Sequence, residues 1–395
     1  MSLSTAEQPP ESAAARFVRL CLSARWQAGA LEAARALAAQ DGFDWRAVVS
    51  VAGRGDVAPL LYDATRDSGL VPAALAERLH EAYYLTTTRN VRLFRALELV
   101  LRQLEAEGVP VIVLKGAALV QQVYHNPALR PMADLDLLVR REDVSRTRRV
   151  LSTLGYEAAN PAMGDEAGTY SHAVMLVDPA TPEAALDVHW SLFGSLYYYY
   201  RVPLDWFWQT SEPTRFGEAP ARLFGPAAQV LYLCAHILQH TQQDVAKLIA
   251  FHDVAAGLAS CGDRLDWDEL LGQAQAFGLV LAVQHVLSRL QDEWHVPLPD
   301  PVLARLSALQ PASGEQRAFD RLTAASPAQS FWSELRRIPG WRPRLSFARA
   351  ILLPTTEYMR WRYQITRRWL LPLYYPYRWL GSLRRSRQQR STGLY

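Results

Sequence analysis

A chain of 395 residues exceeds the roughly 250 to 300 at which one hydrophobic core stops growing, so a main domain with sizeable helical additions is expected. Half of the residues are apolar and 21% are charged, which excludes a wholly disordered chain. The net charge of +3 is small but unevenly placed: the last 60 residues are rich in Arg and aromatics and nearly lack acids. Cys21, Cys234 and Cys261 are too few and too scattered for a disulfide framework or a CxxC metal site, and they suit a reducing cytosol. The N-terminus lacks a basic region followed by a long apolar run, and no stretch reaches ~18 uninterrupted apolar residues, so neither a secretory signal nor a spanning helix is expected.

Residues 1–12 are expected to be disordered. From 13 to 107 apolar residues recur at spacings of three and four, as in Leu75–Tyr83 and Val91–Val100, which predicts a helical region. Gly108-Val-Pro breaks that pattern. The run 111–114 (VIVL), ending in Lys115-Gly116, reads as a buried strand entering a turn and opens a mixed α/β core over 108–222. A helix is predicted over 117–124, a strand over 133–139 and a helix over 141–154. Two further strands, 172–177 and 184–192, are expected to form the hairpin that closes the sheet. Helical periodicity returns through 227–240, 245–258, 268–277 and 279–294, within a helical region spanning 223–380. A basic flexible tail, 381–395, is expected to follow. The similarity of FDWRAVV at Phe43–Val49 to LDWDELL at Leu265–Leu271 is either a repeated helical hairpin or a coincidence.

Asp134 and Asp136 stand two apart on the predicted strand and therefore share a face, while Leu135, Leu137, Leu138 and Val139 are expected to bury the other side and hold the acids on an exposed one. Carboxylates so placed can bind one or two magnesium ions and the phosphates those ions neutralise, an arrangement suited to phosphoryl and nucleotidyl transfer. A solvated acidic face explains most isolated pairs of this kind, so the order of the surrounding blocks has to carry the argument. That order is LKGAAL at Leu114–Leu119, YHNPALRPMADLDLLV at Tyr124–Val139 and DVHW at Asp187–Trp190.

In these three blocks the chain closely resembles a bacterial family of uncharacterised nucleotidyltransferases within the DNA-polymerase-beta-like superfamily. The resemblance extends more loosely to Leu231–His240, Asp253 and Leu265–Trp267, and covers about residues 40 to 290. It implies an α+β fold, with a small mixed nucleotidyltransferase sheet flanked by N-terminal helices and a C-terminal helical region. It also implies an enzyme in which Asp134, Asp136 and Asp187 are the catalytic, metal-holding acids. Mg2+, or Mn2+ in its place, would orient a nucleoside triphosphate, and the nucleotidyl group would pass to an unidentified acceptor hydroxyl as pyrophosphate leaves. Asp187 either activates that hydroxyl or ligates a metal.

The wider superfamily normally has Gly-Ser at the turn where this chain has Lys115-Gly116. Lys115 can replace the hydroxyl electrostatically, with the N–H groups of Gly116 and Ala117 cradling phosphate. Arg130 can pair with a phosphate or with Asp134, or is a salt-bridging loop arginine with no substrate contact. His189 is a phosphate contact or a core histidine. His236 and His240, four apart on a predicted helix, share a face and reach substrate or pack, since no acid of an HExxH motif accompanies them. Lys247 and Asp253 fall where the family has a base and an acid facing the cleft.

The aromatic run Leu196–Arg201 with Trp206 and Trp208 either packs on helices or stacks a base. The arginine- and aromatic-rich C-terminus can lie peripherally on an anionic inner membrane face, bind an acidic partner or nucleic acid, or pack on the body. The expected location is cytoplasmic. Two rival functions remain: a non-catalytic nucleotide-sensing or partner-binding module on the same fold, and a toxin-like transferase acting on RNA ends.

Overall fold

The first helix starts where the sequence supplies a cap: the Ser12 hydroxyl accepts a hydrogen bond from the Ala15 amide at 3.2 Å, and α1 (Ala13–Ser23) follows. The computed structural model describes residues 11–160, 172–240, 248–324, 335, 336, 338 and 340–391, so the expected disorder of the first residues lies almost wholly outside the described residues. α2 (Ala30–Ala38), α3 (Trp45–Arg54), α4 (Ala58–Thr65) and the long α5 (Ala73–Ala106) complete the N-terminal helices. The expected spacing is realised in α5, where Leu93, Leu97, Val100, Leu101 and Leu104 are buried along one stripe.

The core sheet begins with β1 (Ile112–Leu114), which runs directly into α6 (Lys115–Leu119) and a single π turn, Val120–Tyr124. β2 (Leu135–Leu138), α7 (Val144–Thr153), β3 (Glu157–Ala158), β4 (Ala173–Val177) and β5 (Leu186–His189) follow. After α8 (Leu196–Tyr199) and α9 (Leu204–Gln209), β6 (Glu212–Phe216) and β7 (Ala219–Leu223) form a hairpin. The strand order is β3-β4-β5-β2-β1-β7-β6. β1 runs antiparallel to β2 and parallel to β7, and β2 runs parallel to β5.

One expectation is corrected here. The hairpin of β4 and β5 does not close the sheet, because β6 and β7 extend it beyond β1. Their sequences, EPTRF and APARL, carry prolines that argue against a strand, yet Pro213 lies on the edge strand β6 and Pro220 near the start of β7, ahead of its pairing with β1 at Arg222, where missing ladder donors are tolerated.

Side-chain alternation along the strands divides the interior in two. Val113, Leu135, Leu137, Leu186 and Val188 share a cluster with the α5 stripe. Ile112, Leu114 and Leu138 join the other cluster, which belongs to helices from both ends of the chain. Those are α1 to α4 together with α10 (Pro226–His240), α11 (Leu248–Cys261), α12 (Trp267–Phe277), α13 (Val280–Asp292), α14 (Asp300–Ala308) and α15 (Glu315–Ala324). Trp26 Nε1 donates to the Trp294 carbonyl at 2.9 Å, tying the two sets of helices together.

The FDW and LDW segments are two helix starts: Asp44 accepts from the Arg46 and Ala47 amides, and Asp266 from those of Asp268 and Glu269. At the C-terminus lie α16 (Trp341–Leu352), α17 (Thr356–Tyr363) and α18 (Leu371–Ser391). α18 carries regular helix through most of the stretch expected to be a flexible tail, since its Arg, Gln and Leu are good helix formers and no proline follows Pro376. Among the described residues no helix is long and apolar enough to cross a membrane.

Leu137, fully buried on the central strand β2, is a sensitive point of this architecture. Leu137→Ala is expected to cost about 2–5 kcal/mol of unfolding free energy in urea titration, because the space between sheet and α5 cannot collapse onto the missing atoms.

Candidate active site

Period-two alternation on β2 and β5 decides which side chains meet. With Leu135, Leu137, Leu186 and Val188 turned toward α5, the side chains of Asp136, Asp187 and His189 emerge on the opposite face. The parallel register pairs Asp136 with Asp187 and Leu138 with His189. This face is not open, because helices of the C-terminal half roof it, and Asp136 retains only 4% exposure. The expectation that the acids stand on an exposed face is therefore corrected: residues about a hundred positions away cover it. Asp134, one residue before β2, is half-buried at the cavity.

Buried carboxylates need positive charge, and two neighbours supply it. Lys115 Nζ lies 2.6 Å from Asp136 Oδ1. His189 Nε2 lies 3.0 Å from the same oxygen and 3.1 Å from Asp187 Oδ2. A ring nitrogen facing two carboxylates must carry the proton and donate, so His189 is protonated on Nε2. Its Nδ1 is buried without a partner.

The titration directions follow. Burial pushes the Asp136 carboxyl up, but Lys115 and His189 outweigh it and hold the pKa well below the usual carboxylate range. For Asp187, burial is again overcome, chiefly by the His189 hydrogen bond, and the pKa falls. Burial depresses His189, yet its bonds to Asp136 and Asp187 raise it overall. Lys115, also desolvated, is raised by the negative side chains around it. Asp134 alone among the three acids is raised, by burial and then by repulsion from Asp136, with a smaller contribution from Asp187.

Lys115 takes this position with a left-handed backbone, φ 49°, which costs a residue bearing a Cβ about 1 kcal/mol. The next residue has to be small: a Cβ on Gly116 would stand 2.7 Å from Met132 Cγ. Ala117, expected to share in phosphate binding, is packed in the cluster beneath α5 and does not line the cavity.

Arg130 has a partner other than Asp134. Its Nε lies 3.0 Å and its Nη2 2.8 Å from Asp253 Oδ2, so the guanidinium grips a carboxylate on α11. Tyr124 Oη donates to Asp253 Oδ1 at 2.7 Å and lies 2.9 Å from His252 Nδ1. With the only phenolic proton committed to Asp253, Nδ1 of His252 is the donor to Tyr124, and the buried Nε2 is bare and unpartnered. Burial, reinforced by the charges of Arg25 and Arg130, pushes the His252 pKa down to about 3. Asn90, on α5, donates to the carbonyls of Pro127 and Arg130 at 2.6 and 2.8 Å and fixes the loop from below.

These groups surround a cavity of about 300 Å³ between sheet and helices. Of the residues singled out from sequence, Lys115, Gly116, Arg130, Asp134, Asp136, His236 and Asp253 line it. Asp187 and His189 join through Asp136. Leu233 and His236 of α10, Ile249 and Ala250 of α11, and Asp56 form the opposite wall. His240 lies on α10, though its side chain is outside the described residues, as is the whole of Lys247. Tyr124, Asn90 and His252 were not anticipated. Tyr124 stands at the head of the second motif block, and Asn90 is a polar side chain in an otherwise apolar helical stripe, the one signal that marked it.

One side-chain atom from each of Asp136, Asp187 and His189 lies within 4.8 Å of the others. The two carboxylate oxygens are donors of the kind a hard divalent ion takes, whereas His189 Nε2, which carries a proton here, orients them rather than offering a lone pair. Asp134 is not part of that group. Instead it adds a further carboxylate at the cavity wall.

The structure thus holds paired acids on adjacent parallel strands, with a lysine at the end of the preceding strand. Residues 41–293 match the model of the uncharacterised nucleotidyltransferase family, and the chain belongs to that family. Solved structures overlap part of the chain at low identity. The solution structure of the antibiotic-resistance factor ANT(2'')-Ia overlaps 52% of this chain and 97% of its own, at 13% identity and a TM-score of 0.32. An antigenic nucleotidyltransferase-like protein from Paracoccidioides brasiliensis overlaps 57% of this chain and 96% of its own, at 16% identity and TM-score 0.35. ANT(2'')-Ia in complex with adenylyl-2''-tobramycin overlaps 47% and 97%, at 12% and 0.33. No curated protein matches the chain in sequence.

Two outcomes are expected from this electrostatic arrangement. Asp136→Asn strips Lys115 and His189 of their shared buried counter-charge and should lower stability by about 3 kcal/mol, whereas Asp134→Asn removes a repelled carboxylate and should leave the melting temperature unchanged or raise it. Paired thermal melts of the two variants check this, and equal losses would refute the assignment of charges. Second, His252 is neutral when folded and protonates in the unfolded chain below its ordinary value of 6.5. Its contribution is therefore intact above that pH and is lost progressively as pH falls toward 3, at up to about 1.4 kcal/mol per unit. Urea titrations of wild type and His252→Gln across that window should show a steeper acid loss in the wild type.

Proposed function

We propose that the protein transfers a nucleoside monophosphate from a nucleoside triphosphate to an acceptor hydroxyl, in a reaction dependent on Mg2+ or Mn2+. The observation that carries this reading is the register of Asp136 against Asp187 on parallel strands, with Asp134 beside them and Lys115 at the mouth of the same cavity. Asp134, Asp136 and Asp187 would hold the ion, which when bound neutralises triphosphate charge and polarises the phosphorus.

The chain's own residues do the rest. The ammonium of Lys115 supplies positive charge to phosphate oxygens. Arg130, clamped by Asp253, keeps a fixed orientation with part of its guanidinium toward the cavity. The N–H of Gly116, beside a site where a larger residue would collide with Met132, lets backbone approach phosphate closely. Asp187 takes the proton of the acceptor hydroxyl while His189 Nε2 steadies its other side. The acceptor oxygen then forms a bond to the α-phosphorus, the α–β anhydride bond breaks, and pyrophosphate carries away the electron pair. His236 and the apolar surface of α10 and α11 form the wall available to base or acceptor. A cytoplasmic location, where triphosphates and magnesium are plentiful, goes with this activity.

A second reading, a nucleotide-sensing module without turnover, is favoured by one observation. The contact of Lys115 with Asp136 at 2.6 Å places a basic group directly on a carboxylate that the chemistry needs. Calorimetric titration with nucleotide and Mg2+, followed by pyrophosphate release in the presence of cell extract, separates the two. Transfer predicts release that falls about 10²- to 10⁴-fold in Asp187→Asn with nucleotide affinity little changed. Binding without release establishes the sensor instead.

A further inference from the structure

The segment from Trp341 to Tyr395 contains twelve arginines, no lysine and one acid, Glu357, a net charge of +11 in a chain whose total is +3. It also holds most of the large apolar side chains exposed among the described residues, those elsewhere being scattered. Neither feature is needed by the nucleotide cavity.

The exposed apolar side chains are ordered. On α16, Trp341, Leu345 and Leu352 follow helical spacing along one face, and all three are exposed. From the turn before α18 onward, Trp369, Leu373, Tyr377 and Leu380 repeat at intervals of four, four and three, with Trp369 68% and Leu373 64% exposed. The reverse side of α18 is anchored. Tyr375 Oη donates to the Pro354 carbonyl at 2.8 Å, Arg378 Nη1 to Ile351 at 3.0 Å and Trp379 Nε1 to Leu352 at 2.8 Å. These bonds satisfy carbonyls at the end of α16 and fix which face of α18 turns outward. An apolar stripe that the helix's own hydrogen bonds direct into solvent calls for a covering surface.

We propose that this segment docks the protein on an anionic lipid bilayer, lying in the interface with leucines toward the acyl region, Trp and Tyr at headgroup depth and arginines on lipid phosphates. Charge selects this occupant. A second copy would bring two segments of +11 together, whereas an anionic surface complements them. Nucleic acid would answer the arginines and aromatics but gives exposed Leu345, Leu373 and Leu380 nothing to bury against. Since no described helix is long and apolar enough to span, the contact is peripheral.

The test is co-sedimentation of the full chain with vesicles of phosphatidylcholine alone and of an equal mixture with phosphatidylglycerol, beside titration of a single-stranded RNA. Two variants are compared: Trp369→Glu with Leu373→Glu, and Arg360, Arg362, Arg367 and Arg368 all to Gln. Circular dichroism confirms that both retain wild-type helix content. The parent should partition onto the mixed vesicles at least about tenfold more strongly than onto the neutral ones, and each variant should lose roughly tenfold of that partition. Equal binding to both vesicles, or full binding by the glutamate variant, overturns the proposal. So does RNA binding without vesicle binding, or a dimer in solution that the glutamate variant dissolves.

Discussion

Asp136, Asp187 and Asp134 crowd together beneath a helical roof, and like charges that close cannot remain ionised there without positive charge among them. At an effective dielectric near 20, two unit charges 4 Å apart interact by about 4 kcal/mol, so one unbalanced carboxylate would offset much of a domain's stability. Lys115 and His189 supply the balance through Asp136, which each of them contacts on the same oxygen. Much local structure follows from that contact. The lysine must leave β1 in a left-handed conformation, its successor must lack a Cβ, and β5 must lie in the register that brings His189 beneath Asp136.

Lys115 brings an ammonium and His189 an Nε2–H donor to the same oxygen of Asp136, and the His189 donor also reaches Asp187, so the chain's own groups hold the carboxylate pair. Asp134 has no such neutraliser in direct contact in this arrangement and is the acid whose proton affinity is raised. The site is thus electrostatically asymmetric, with two acids already satisfied and one held at a cost.

Local pattern carried the element types well. Three- and four-residue spacing located the helices, and the aliphatic run at 111–114 and the Asp-Leu alternation at 133–139 marked the strands that form at Ile112–Leu114 and Leu135–Leu138. Period two put Asp134 and Asp136 on one face, whereas Asp187 entered only through the family resemblance and meets Asp136 by the register of β2 and β5. What escaped depended on distant chain. Whether that face is open or roofed is decided by α10 and α11, about a hundred residues on, and no local signal records it. The partner of Arg130 is 123 residues away, so a nearer acid, Asp134, was the natural candidate. The β6–β7 hairpin was masked by prolines that a margin strand can accept but a central one cannot.

The buried network of Tyr124, Arg130, His252 and Asp253 joins the sheet to the helical half more tightly than apolar contact would. A guanidinium and a carboxylate removed from water lose several kcal/mol of hydration each, and a close pair recovers this only when the remaining donors and acceptors are also met. Here the phenol completes Asp253, while Asn90 anchors the Arg130 loop by its backbone. Movement of α11 relative to the sheet would therefore break a charged bidentate contact rather than slide one apolar surface over another. The helical wall and the acids are held as a single unit, so the cavity's width is set by polar bonds of fixed length. Nε2 of His252, buried without a partner among the described residues, lies beside the rings of Trp26 and Trp294, where an unprotonated nitrogen costs less than a charged one. The network thus tolerates its orphan atom by keeping the imidazole neutral, and Arg130 supplies the positive charge that pairs with Asp253.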